Sequence, residues 1–131
     1  MKTELLYLTC VAVLTGLLWV PYVLDRFGVW GITDTVGYPE NPKPQSPWAQ
    51  RLKKAHANAV ENLVVFAVLV LAANAAGISG GVVATAAIVY FWARLAHVIA
   101  YALALPWVRT LAFSVGFFAQ AAIAWQILSH A

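Results

Sequence analysis

Apolar residues gather into four runs, over 5–24, 55–76, 82–105 and 107–128. Each is long enough to cross roughly 30 Å of hydrocarbon as a helix rising about 1.5 Å per residue. Between the first two runs the chain is dense in helix breakers: Gly28, Gly31, Gly37, Pro39, Pro42, Pro44 and Pro47. The pattern predicts helices over about 4–25, 47–76, 81–105 and 106–129, and a loop of turns and extended pieces over about 26–46. Ser46-Pro47-Trp48 reads as a helix start, with a serine placed to cap free backbone N–H groups and proline at the first helical position. The second helix therefore begins before its apolar run, carrying Gln50, Arg51, Lys53 and Lys54 in its first turns. Gly77-Ile78-Ser79-Gly80-Gly81 and Pro106 keep the other two connections short, which makes the last three helices antiparallel neighbours.

Composition agrees with an all-α membrane protein, a four-helix transmembrane bundle: 63% of residues are apolar, 10% are charged, and the mean hydropathy is +0.78. The runs occupy nearly all of residues 1–131, so the chain reads as one domain with no separate catalytic module. The first run has a weak charged flank and no small-x-small cleavage pattern, and reads as a membrane helix in place of a cleaved signal. Cys10, the single cysteine, lies within it. Arg26, Lys43, Arg51, Lys53 and Lys54 flank the first loop and Arg109 the third, against Lys2 alone on the opposite side. The positive-inside rule then places the first and third loops in the cytoplasm. The net charge of +3 is a topology signal and not a nucleic-acid footprint. No residues have metal-ligand spacing, and there is no phosphate loop or nucleophile elbow.

Polar residues inside the runs carry the candidate chemistry. Lys54, Asn58 and Glu61 are spaced to share one face of the second helix, and Tyr90, Arg94, His97 and Tyr101 one face of the third. Counting inward at about 1.5 Å per residue puts Glu61 at roughly 20 Å and Arg94 at roughly 16 Å, Asn58 at about 15 Å and His97 at about 12 Å. Lys54 and Tyr101 lie nearer the surface. A lone charge at membrane depth costs about 2.5 to 3.5 kcal/mol, so Glu61 and Arg94 are expected to face each other, within one subunit or across a subunit boundary. A structural ion pair would account for those two residues. A polar cavity accounts for the asparagine, histidine, lysine and tyrosines as well. His56 and Asn62 fall off the main face and read as partners for neighbouring helices.

Arg51-x-x-Lys54-Ala55-His56-x-Asn58-x-x-Glu61, then Arg94-x-x-His97-x-x-x-Tyr101 and Arg109-Thr110, resembles the MAPEG family, the membrane-associated proteins in eicosanoid and glutathione metabolism. The likeness covers nearly the whole chain. It implies a homotrimer that binds glutathione as co-substrate between adjacent subunits at the cytoplasmic side. It further implies that Lys54, Asn58, Glu61, Arg94, His97, Tyr101 and Arg109 line that site, with Arg26 and Arg51 as further basic contacts. The implied mechanism is activation of the glutathione thiol by Arg109, helped by Thr110 or Tyr101, for attack on a lipophilic electrophile arriving from the bilayer or for reduction of a lipid hydroperoxide. Ala57 and Phe113 stand where the prostaglandin synthase branch has an arginine and a tyrosine, which points away from prostaglandin synthesis. Tyr101 and Arg109 are one residue closer than in that branch.

The short chain suits a bacterial inner membrane. Two other readings share its composition. One is a proton-coupled four-helix transporter using Glu61, disfavoured if Arg94 pairs with that glutamate. The other is a catalytically weak member of the same family.

Overall fold

The computed structural model describes residues 1–131, which form five helices and no strands. α1 (Thr3–Leu17) and α2 (Trp19–Val36) follow each other through Leu18, itself in a helical conformation, and act as one rod. α3 (Pro47–Ala75), α4 (Gly81–Ala102) and α5 (Pro106–Ser129) complete four segments long and apolar enough to cross a membrane. α4 lies centrally, packed against α5, α1 and α3.

The first helical rod outruns the sequence expectation. Helix continues to Trp30 where a loop from residue 26 is expected, kinks at Gly31 and resumes as a short piece to Val36, which leaves 37–46 as the segment without helix. Glycine lowers helix propensity by only about 1 kcal/mol, so Gly28 is absorbed. Gly31 does break the rod, at φ 80° and ψ 171°, and Thr35 Oγ1 donates back to the Arg26 carbonyl at 3.2 Å. Trp30 Nε1 donates to the Lys43 carbonyl, folding the proline segment against α2.

Ser46 precedes α3 as expected, yet its hydroxyl does not cap the helix. It donates instead to Asp25 Oδ1 at 2.5 Å, while Ser46 N and Gln45 Nε2 donate to Asp25 Oδ2 at 3.1 and 3.2 Å. A carboxylate receiving three donors is a stronger acceptor for the hydroxyl than its own helix would offer as donor. The result pins the start of α3 to α2. Tyr22 and His56 Nδ1 share a second bond between these helices, at 2.7 Å, in keeping with the expectation that His56 meets a neighbouring helix.

The two tight connections close in the same way. After α3, Ile78 N donates to Ala73 O and Gly77 N to Asn74 O, with Gly77 at φ 74°. After α4, which stops at Ala102 and not at 105, Leu105 N donates to Ala100 O and Ala104 N to Tyr101 O. The left-handed position there is Ala104, at φ 59°. Glu4, 1% exposed, accepts from Ser79 Oγ at 2.5 Å and anchors the N-terminus on the α3–α4 turn.

Small residues let the helices approach. α3 buries Ala49, Leu52, Ala55, Ala59, Phe66, Val70 and Ala73 as a stripe at helical spacing. Phe66 stacks on Tyr90 of α4 with centroids 3.9 Å apart, at the middle of a core that includes Val11, Val83 and Ile123. Because apolar burial drives little in lipid, such close packing and the interhelical polar contacts hold the bundle.

Candidate functional site

α4 turns Tyr90, Arg94 and His97 inward, all buried, as their spacing indicates. Arg94, 3% exposed, donates through Nη2 to Asn58 Oδ1 on α3 at 2.7 Å. Gly116 of α5 lies against it: a Cβ there would meet Arg94 Cδ and the Tyr90 ring at 3.7 Å, an ordinary packing distance. Arg94 Nε, Tyr90 Oη and His97 Nδ1 are buried without hydrogen-bond partners.

The pairing of Glu61 with Arg94 does not occur within the chain. Glu61 lies exposed on the outer face of α3, and the guanidinium takes the asparagine one turn earlier. The rows are thus offset by a turn from those expected. The physical reason is depth: Asn58 at about 15 Å matches Arg94 at about 16 Å better than Glu61 at roughly 20 Å does. Lys54 likewise does not face Tyr101. It is exposed and joins Arg26, Lys43 and Lys53 around a separate open groove of about 630 Å³ between α2, the proline segment and α3.

Asn58, His97, Tyr101, Arg109, Thr110 and Phe113 do come together, around a pocket of about 300 Å³ at the end of the bundle that carries the proline segment. The Arg109 guanidinium carbon stands 5.0 Å from the centroid of the Tyr101 ring. His97 touches this wall edge-on to Tyr101, with centroids 5.6 Å apart. The Thr110 hydroxyl donates to the Pro106 carbonyl at 2.9 Å, so its proton is already engaged within α5. Tyr101 and Arg109 also border an adjoining recess of about 200 Å³ with Arg51 and Ala104. Arg51 is committed in part to structure, since its Nε donates to the Ala102 carbonyl at the end of α4 at 3.0 Å. Arg26 stands over Trp30, 5.2 Å from its ring centroid, in the separate groove.

Two residues beside the pocket lie outside the expected site: Asn62, which spacing reads as a partner for a neighbouring helix, and Gln120, which spacing does not single out. Asn62 Nδ2 donates to both the backbone oxygen and Oδ1 of Asn58, at 2.9 and 3.3 Å. Gln120 of α5, 6% exposed, donates to the Asn62 carbonyl at 3.1 Å. The signal available was an amide in mid-span on each of two helices, which lipid-facing positions disfavour.

The lining of the pocket contains a guanidinium, amide, imidazole and hydroxyl groups and no carboxylate. It is built to receive an acceptor-rich or anionic ligand. These features define a polytopic helical membrane protein with an anion-receptive pocket at one end of its bundle. The family model of the MAPEG family matches residues 6–129, and the chain belongs to that family. No curated protein matches it at a significant level.

Proposed function

We propose that the protein is a glutathione-dependent membrane transferase in which Arg109 stabilises the glutathione thiolate. The observation that carries this is the convergence of Arg109, Tyr101, His97 and Asn58 on one pocket free of carboxylates, in a chain of the MAPEG family. A free thiol has a pKa of about 8.5 and reacts as the thiolate, so a fixed cation beside the sulfur raises the reactive fraction at neutral pH. With a chlorodinitrobenzene-type electrophile the sulfur bonds to the ring carbon, chloride leaves with its electron pair, and the thiol proton passes to solvent. With a lipid hydroperoxide, two glutathiones give the disulfide while the hydroperoxide becomes alcohol and water.

Glutathione carries an ammonium beside its carboxylates, and one chain offers that ammonium no acid within the pocket. Glu61 stands exposed on α3, one turn beyond Asn58, and the cations of Arg26 and Lys54 line the separate groove. This division supports a homotrimer in which the site is completed between adjacent subunits, and the basic residues flanking the first and third loops favour the pocket end in the cytoplasm, in a chain short enough for a bacterial inner membrane. Phe113 lines the pocket at the position where the prostaglandin synthase branch has a tyrosine, which fits simple conjugation better than prostaglandin synthesis.

Glu61 has no partner in the chain, so pairing with Arg94 no longer argues against a proton-carrying role. The transporter reading is separated by vesicle assays: proton-coupled efflux of a cationic drug, abolished in Glu61→Gln, would establish it. The transferase reading expects glutathione binding by calorimetry in detergent and turnover of chlorodinitrobenzene. No binding at millimolar glutathione would reject it.

A further inference from the structure

The side chain of Asn58 is held by its oxygen from two directions. Arginine has only donors, so the atom 2.7 Å from Arg94 Nη2 is the carbonyl oxygen of the amide. Asn62 Nδ2 reaches the same oxygen at 3.3 Å. Reversing the Asn58 amide would set its NH2 group against two donors in a low-dielectric interior. The NH2 group therefore points the other way. It has no protein partner, it is not among the buried unpaired atoms, and Asn58 is part of the pocket wall.

Asn62 is itself fixed twice. Its side-chain amide bonds the Asn58 backbone oxygen one turn earlier at 2.9 Å, and its main-chain carbonyl accepts from Gln120 on α5. An asparagine needing only to satisfy itself in the helix would stop at the first of these. Its longer bond, to Asn58 Oδ1 at 3.3 Å, reaches beyond the backbone toward the pocket.

We propose that Asn62 is a positioning residue: together with Arg94 it holds the Asn58 amide so that its NH2 group donates into the pocket, to a carboxylate, carbonyl or thiolate acceptor of bound glutathione. The inference rests on the reading of the pocket as the glutathione site. It assigns Asn62 an effect on glutathione affinity with no contact to the ligand and none to the second substrate.

The two bonds of Asn62 can be separated. Serine on these helices bonds the carbonyl four residues back, as Ser114 does to Thr110 O at 2.9 Å. Asn62→Ser thus keeps a bond to the Asn58 backbone and loses the one to its side chain. The test is calorimetric glutathione binding and steady-state kinetics on the full-length protein in detergent, for the wild type, Asn62→Ser, Asn58→Ala and the double variant, with thermal unfolding alongside. The expected result is glutathione binding weakened about fivefold in Asn62→Ser, the loss of roughly one hydrogen bond's contribution. The maximal rate and the KM for chlorodinitrobenzene stay within about twofold, and the double variant binds no more weakly than Asn58→Ala alone. Unchanged affinity in Asn62→Ser with weakened affinity in Asn58→Ala would overturn the positioning role and leave the pocket intact. Additive losses in the double variant would also overturn it, as a merely structural effect. A wild type that binds no glutathione would overturn the pocket assignment and this role with it. Asn62→Leu, which removes both bonds, gives a second reading of the same comparison should the serine variant fold poorly.

Discussion

Arg109 rests its guanidinium on the face of Tyr101, 5.0 Å from the ring centroid, at the border of both recesses at this end of the bundle. An aromatic face near a cation contributes about 0.5 to 1 kcal/mol at exposed sites, which biases the long side chain toward this orientation by roughly two- to fivefold. The ring and the hydroxyl of Tyr101 therefore have separable effects. Tyr101→Leu is expected to lower kcat/KM about fivefold, and Tyr101→Phe to lower it less, because phenylalanine keeps the face on which Arg109 rests. Steady-state turnover of chlorodinitrobenzene by the two variants ranks them. The reverse order would assign the function to the hydroxyl.

Asn58 is the sole side-chain hydrogen-bond partner of the buried Arg94. Asn58→Ala leaves a desolvated guanidinium without it, and is expected to cost about 2 kcal/mol of stability. Adding Arg94→Met removes the orphaned charge and should recover part of that loss. Thermal unfolding in one detergent checks the sign of the recovery.

Glu61 makes no hydrogen bond within the chain and lies exposed. Glu61→Gln should accordingly leave thermal stability of the subunit nearly unchanged while weakening glutathione about tenfold, through loss of a charged partner for its ammonium. Calorimetry and thermal unfolding together distinguish this from a structural role, which would move both.

Gly77 and Ala104 occupy the same left-handed position after α3 and α4, at φ 74° and 59°. An L-residue there costs about 1 to 2 kcal/mol, partly offset by the larger freedom glycine gives the unfolded chain. Ala104→Gly is expected to raise the unfolding midpoint and Gly77→Ala to lower it, each by about 1 kcal/mol in stability. Alanine at 104 also sets the path from Tyr101 to Arg109. The glycine variant should therefore loosen that pair and lower turnover while stabilising the fold.

The four spans were legible because each apolar run is close to bilayer length. The extent of the first rod was not, because glycine and proline composition marks where helices can end without fixing where they do. Gly28 is absorbed, Gly31 turns the chain so that 32–36 is a separate short helical piece, and Gly37 and the prolines beyond end that piece. At the site, spacing identified the inward face of α4, while the structure groups Asn58, His97, Tyr101 and Arg109 around one pocket and leaves Arg26, Lys54 and Glu61 away from it. Partner choice was harder. Opposite charge favoured Glu61 for Arg94, whereas the depth count already matched Arg94 to Asn58 more closely. A carboxylate on an outward position can wait for a neighbouring subunit, and no single chain reveals that. Asn62 was legible as a partner for a neighbouring helix, but its bond to Asn58 and the identity of Gln120 as its partner were not, because a lone amide on a helix has no periodic signature until the facing helix is in place.

The thiolate role of Arg109 is tested most directly by titrating the thiol of bound glutathione, following thiolate absorbance against pH in the wild type and in Arg109→Ala. A cation beside the sulfur favours the charged form, so the bound thiol should ionise well below the free value of about 8.5 and return toward it in Arg109→Ala. A bound thiol that titrates like free glutathione, or a depressed pKa that survives Arg109→Ala, would contradict that role.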